Sequence, residues 1–247
     1  AADKPHILEV EYPSNVVQTL GISVIEPNAV GKVAPLGLDS GIDVTAESTN
    51  DSPRMLRHRL LFWPRTSAPL VLLTNRQSDR PAVFGKIRMY AGPDTLPAVK
   101  RPDEPLLRSQ RLLAAYFDQP FFAQNFSAPE ALEDSTSPPR SLNDWTTFLE
   151  GSRRLIQYLK YTGYNAAILS VTRDGSALYP SKLLQPTPRY DNGIFFVSGQ
   201  DPIPKDVLEV LFRLFDREGL RLIPSLHFAT PLPSLEAQLN LKGNPTE

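Results

Sequence analysis

Tyr164-Asn165-Ala166-Ala167-Ile168-Leu169-Ser170-Val171 decides the reading of this chain, together with its echo Arg221-Leu222-Ile223-Pro224-Ser225-Leu226-His227. Each is a short apolar run, and each follows a glycine, Gly163 or Gly219, that ends a stretch with helical periodicity. A helix closed by glycine and followed at once by an apolar strand, twice over, predicts parallel β/α units. The connections are lopsided. Turns into the strands are minimal, whereas residues 172–203 leave the first strand by a long path. Loops of that length inside compact domains are uncommon and usually functional. In β/α barrels the working face lies at the C-terminal ends of the strands.

Residues 141–247 fall well short of the ~250 residues of a complete barrel. The expectation is therefore a truncated, TIM-barrel-like segment holding the first two β/α units, with the remaining strands and their chemistry outside this sequence. Ser141 is expected to cap the first helix, with Asp144 completing an approximate capping box. Trp145, Phe148, Leu149, Leu155, Ile156 and Leu159 share one face of it at spacings of three and four. The second helix is expected from about 204 to 218, burying Val207, Leu208, Leu211, Leu214 and Phe215.

Upstream the pattern changes. Leu8, Val10 and Tyr12 alternate with Glu9 and Glu11; Leu20, Ile22 and Val24 alternate with Thr19, Gly21 and Ser23; Ile42 and Val44 alternate with Asp43 and Thr45. Period two predicts strands with one buried and one wet face. Residues 60–63 and 70–73 are continuous apolar runs, expected in strands covered on both sides or closing a core. Turn signals separate the runs and no helix intervenes, which predicts an antiparallel sandwich or jelly roll over residues 1–105. Residues 91–105 are Pro-rich and irregular and mark a boundary, and 106–140 read as a linker and packing segment, in which 106–117 is a strand, a short helix or both. The fold class is thus α+β multidomain: a jelly-roll-like β-sandwich followed by the truncated β/α segment.

Composition narrows the function. A hydrophobic content of 41% with 21% charged residues describes a globular protein, and a net charge of −1 gives no electrostatic case for nucleic acid. No apolar run approaches the ~18 residues of a membrane span. The chain has no cysteine, which excludes thiolate chemistry and Cys-type zinc sites. No metal constellation, phosphate loop or nucleophile elbow is present, so no cofactor is expected.

Candidate chemistry gathers at the strand ends. Asp174 follows the first strand but precedes Gly175, so a turn role competes with substrate contact. His227 ends the second strand, where it can hydrogen-bond a sugar hydroxyl or simply pack beside Phe228. The long loop carries Tyr179, Ser181, Lys182, Tyr190 and Asn192. Aromatic rings beside hydroxyl and amide groups suit carbohydrate, since apolar sugar faces stack on rings while polar groups take the hydroxyls; a self-packed loop has the same mixture. Trp63, Arg65, Asn75 and Arg76 form an alternative sugar-binding edge, unless Trp63 plugs the sandwich core. A two-carboxylate glycosidase needs an acid and a partner about 5–9.5 Å apart, and the strand ends offer one carboxylate, so no catalytic residue is assigned.

Tyr161-Thr162-Gly163-Tyr164-Asn165, Asp174-Gly175, Tyr179-Pro180-Ser181-Lys182 and residues 211–220 resemble the start of the barrel in secreted bacterial glycosidase-like proteins similar to family 10 glycoside hydrolases. Residues 5–13 and 84–88 resemble the first and last parts of a galactose-binding-like jelly roll. The resemblance implies an N-terminal part of a secreted or cell-envelope protein that acts on or binds carbohydrate. Such a part is expected to be inactive alone, and to self-associate if its barrel is incomplete. The alternative is a non-enzymatic carbohydrate-binding or cell-surface interaction protein.

Overall fold

The computed structural model describes residues 4–27, 33–45, 54–99, 111–118, 126, 145–173, 176–187, 206–227, 236–237 and 240–241. The chain divides into two compact units, Ala1–Leu96 with Gln124–Ser141, and Pro97–Ala123 with Leu142–Glu247.

The first unit is built from antiparallel strands: β1 (His6–Pro13), β2 (Gln18–Pro27), β3 (Val33–Val44), β4 (Met55–Phe62), β5 (Leu70–Asn75) and β6 (Ile87–Ala91). They form two sheets, ordered β4-β1-β6 and β3-β2-β5. Leu8, Val10, Leu60 and Phe62 from one sheet meet Leu20, Ile22, Val24 and Ile42 from the other in a single core cluster, the arrangement of a β-sandwich. Leu8, Val10, Leu20, Ile22, Val24 and Ile42 are positions that alternation assigned to the buried face, while Leu60 and Phe62 come from the continuous run 60–63. Trp63 is 2% exposed and packs edge-on to Phe126 at 5.8 Å, buried in the same unit.

Two expectations change here. Leu70 and Leu72 are exposed, so the 70–73 run is covered on one side only. Glu9, expected on a wet face, is 1% exposed. Cross-strand neighbours explain it: Arg59 of β4 and Arg88 of β6 flank Glu9 in register and fold over its carboxylate.

The second unit carries a parallel sheet ordered β12-β8-β7, formed by β7 (Ala114–Phe117), β8 (Ala166–Ser170) and β12 (Arg221–Ser225). Helix α1 (Trp145–Thr162) lies between β7 and β8 in the chain, and α2 (Val207–Arg217) between β8 and β12. The sheet therefore has three parallel strands rather than the two expected. Ala114–Phe117 is only four residues long and had read equally well as helix; what fixes it is a distant side chain. Asn165, at the start of β8, accepts from Leu113 N–H at 2.7 Å and donates to the Arg111 carbonyl at 2.8 Å.

Both helices end as their glycines require. Gly163 has φ 83° and Gly219 φ 67°, the left-handed conformation. Beyond α2, Gly219 N–H donates to Asp216 O and Leu220 N–H to Phe215 O, a Schellman closure that satisfies the last carbonyls. Tyr164 N–H donates to Leu159 O behind α1. The start of α2 is capped by Asp206, whose Oδ1 accepts from Glu209 N–H at 2.8 Å. The expected capping pair at 141 and 144 lies outside the described residues.

Spatial strand order follows chain order, and right-handed crossovers then place both helices on one face. That face holds Phe117, Ala167, Leu169 and Leu222, all buried. Positions in the other register, Tyr116, Ile168 and Ile223, sit side by side and are less covered. Among the described residues no helix is long and apolar enough to cross a membrane.

Candidate functional site

Three strands pointing the same way gather their C-terminal ends at one edge of the sheet. Tyr116 stands on β7 there, 54% exposed, on the face away from the helices. His227 follows β12 by two residues, on the same alternation as Ser225. The outer strands of a three-stranded sheet are ~9.6 Å apart, twice the strand spacing, and these two side chains close that gap across β8. Tyr116 Oη lies 3.0 Å from His227 Nε2, and the rings stack at a centroid distance of 6.4 Å with 30° between planes.

Below the pair the strand ends are polar and tied together. His227 N–H donates to Thr172 Oγ1 at 3.3 Å, and Val171 N–H donates to Ser225 O at 3.0 Å. Ser170, 1% exposed, donates its hydroxyl to Thr172 O. These bonds hold the segment carrying His227 against the end of β8. Chemically the pair offers one phenol and one imidazole at hydrogen-bonding distance, with ring faces available to an apolar surface. Asp118, exposed directly after β7, puts a carboxylate in the chain beside this edge.

The long excursion folds partly on itself. β9 (Thr172–Arg173) and β10 (Ser176–Ala177) are antiparallel, and β11 (Gln185–Pro186) joins β10 in parallel. Leu208 N–H on α2 donates to Leu178 O, tethering the loop to the helix. Ser181 has a structural job: its Oγ accepts from Leu183 N–H and Leu184 N–H, both at 3.1 Å. Tyr179 is half-buried and Lys182 exposed. Asp174, Tyr190 and Asn192 lie outside the described residues.

The structure thus brings His227 together with Tyr116, which the sequence reading had not singled out. A signal existed, since Tyr116 precedes a strand end rich in polar residues, but it depended on recognising Ala114–Phe117 as a strand. In the sandwich unit, Asn75 serves a turn, donating to Arg80 O at 2.7 Å and accepting from Gln77 N–H at 3.0 Å. Neither a family model, nor a curated protein, nor a solved structure matches this chain.

Proposed function

We propose that this chain is the N-terminal part of a glycoside hydrolase-like protein, and that its parallel strands begin a TIM-type β/α barrel whose strand-end face takes a saccharide. The observation that carries the reading is the Tyr116–His227 pair, which spans the C-terminal ends of the parallel strands. Strand order following chain order, with helices between, supports the barrel. An exposed tyrosine ring beside an imidazole suits a pyranose, whose apolar face packs on an aromatic while its hydroxyls take donors and acceptors. From the sequence alone, the loop residues Asp174, Tyr179, Ser181, Lys182, Tyr190 and Asn192 join the proposed set.

A non-enzymatic carbohydrate binder is the second reading, and the chemistry of the pair favours it. A phenol and an imidazole hold hydroxyl groups, whereas glycoside hydrolysis by the usual route uses two carboxylates.

NMR titration with neutral oligosaccharides tests the site. Shifts are expected around Tyr116, Thr172 and His227, with weak, saturable binding. Tyr116→Phe removes one hydrogen bond and should weaken binding about five-fold, in line with ~1 kcal/mol for a neutral bond. His227→Ala removes both bond and ring and should weaken it further. Saturable binding untouched by the double variant would remove the site from consideration.

A further inference from the structure

The outward face of sheet β4-β1-β6 carries a second set of groups, separate from the strand-end site. Because Leu8 and Val10 point into the core, Ile7, Glu9 and Glu11 point outward. Register places Tyr90 and Leu61 on either side of Ile7, Arg88 and Arg59 on either side of Glu9, and Arg57 beside Glu11. Lys86 lies across from Glu11, whose N–H donates to the Lys86 carbonyl at 3.0 Å. Four cations thus face two carboxylates, a local charge of +2 on a chain whose net charge is −1.

The depth of these groups matters more than their number. Glu9 and Glu11 side chains are 1% and 13% exposed, while Arg57 and Arg59 are 55% and 62% exposed. The carboxylates form a floor and the guanidiniums lie over it. Arg59 is held by its inner edge, Nε to Glu9 Oε2 at 2.9 Å. Arg88 uses Nη1 for both Glu9 Oε1 at 3.2 Å and Glu11 Oε1 at 2.6 Å. Arg59 uses Nε and Arg88 uses Nη1 for these bonds, and each guanidinium carries two further nitrogens. A guanidinium anchored on one edge keeps a fixed fork for a planar anion on the other, so less freedom is lost on binding. Beside this pair of cationic rows stands Tyr90, 47% exposed, with its ring on the same face.

We propose that this face binds an acidic oligosaccharide, its uronic-acid carboxylates on Arg59, Arg57 and Arg88 and a sugar ring on Tyr90. Carboxylate recognition by pre-oriented forks and pyranose stacking on an exposed ring are both met within three strands. A nucleic acid is a poorer fit, because phosphate backbones reward uninterrupted cations and here two carboxylates interleave. An anionic membrane likewise favours contiguous basic clusters. Nothing in the inference depends on the strand-end reading, since the two sites share no residue.

The test is calorimetric titration of the full chain with oligogalacturonides, against the same oligomers with reduced carboxyl groups. Micromolar to millimolar binding of the acidic oligomer is expected, weakening as salt rises, with at least ten-fold weaker binding of the reduced one. Arg59→Lys keeps the charge but loses the fork, and should weaken binding at least five-fold. Tyr90→Ala, at an exposed position, should do the same without disturbing the fold, which circular dichroism checks. Equal affinity for the two oligomers would overturn the proposal. So would failure to bind any uronate while a polynucleotide or phosphatidylserine vesicle binds through the same arginines.

Discussion

The two units bury their cores by different routes, and the difference decides where chemistry can sit. In the sandwich unit, sheets β4-β1-β6 and β3-β2-β5 cover each other's apolar faces, and the first turns a charged face outward. In the β/α unit, one sheet is covered by its own helices while the other face presents Tyr116, Ile168 and Ile223. An antiparallel sandwich completes its core with strands that are near neighbours in the chain. A parallel sheet needs a crossover for every strand, so its groups come from far apart in sequence. The Tyr116–His227 bond joins residues 111 positions apart. Distant residues meeting at strand ends is what lets such sheets assemble sites.

The largest expected effects test whether each unit rests on the core assigned to it. Trp63 and Phe215 are among the largest fully buried side chains, one in each unit. Trp63→Ala and Phe215→Ala should each cost ~3–5 kcal/mol. Hydrogen exchange reads the result: amides of β1 and β2 should lose protection in the first variant, and those of β8 and β12 in the second. Unchanged protection at Leu8 and Val10 in Trp63→Ala would show that the sandwich core does not depend on that ring.

A smaller effect separates the units by pH. His58 sits at the seam of the sandwich, its Nε2 2.6 Å from Ser40 Oγ, and burial pushes its pKa below the ordinary imidazole value of about 6.5. The unfolded chain then takes up this proton first as pH falls, so the contribution is intact above about pH 6.5 and lost progressively below it. The Arg59 hydrogen bond holds Glu9 below the ordinary carboxylate range, and the Arg88 bond does so for Glu11. In the β/α unit Glu218 is held low by Lys160 and then Arg217. Carboxylates of this kind stabilise above their unfolded pKa of about 4.3 and lose that as pH falls through the folded value. The sandwich should therefore begin to weaken at a higher pH than Glu218 alone gives the other unit. His58→Gln, which keeps a partner for Ser40 but does not titrate, should reduce the slope of stability just below about pH 6.5. Urea midpoints at several pH values, read at β1 amides, decide it; an identical slope in the variant rejects His58 as its source.

How legible this was depended on locality. Alternation over residues 8–12 and 20–24 placed the core side of the sandwich, because period two is a property of the strand itself. The helix–glycine–strand order at Gly163 and Gly219 placed β8 and β12 for the same reason. Ala114–Phe117 escaped, since four residues have too short a pattern and Asn165 supplies the anchoring bonds from elsewhere. Glu9 misled in the opposite sense: alternation gave its side of the strand, but only neighbouring strands could say that arginines would cover it. Tyr116 was missed because its importance depends on a strand not recognised and a histidine far along the chain. Of the residues weighed for the loop, Ser181 has a turn to hold, a role that its place beside Pro180 left open.

The smallest effect sets two glycines against each other, one in each unit. Gly219 needs its φ of 67° but has open space around it: a Cβ there would meet nothing within 4 Å. Gly41, paired with Gly21 in the β2–β3 ladder, has the opposite problem, since a Cβ would lie 2.7 Å from the backbone oxygen of Leu20. Gly219→Ala should cost about 1–2 kcal/mol through the left-handed backbone alone. Gly219→Asn should recover most of that, because asparagine tolerates this conformation at helix ends. At Gly41 the obstacle is the Cβ itself, which alanine and asparagine share, so the two substitutions should be about equally harmful. Thermal denaturation of the four variants measures the contrast. If asparagine rescues position 41 as well as position 219, the close approach in the ladder relaxes freely, and the distinction between a glycine required for conformation and one required for space fails.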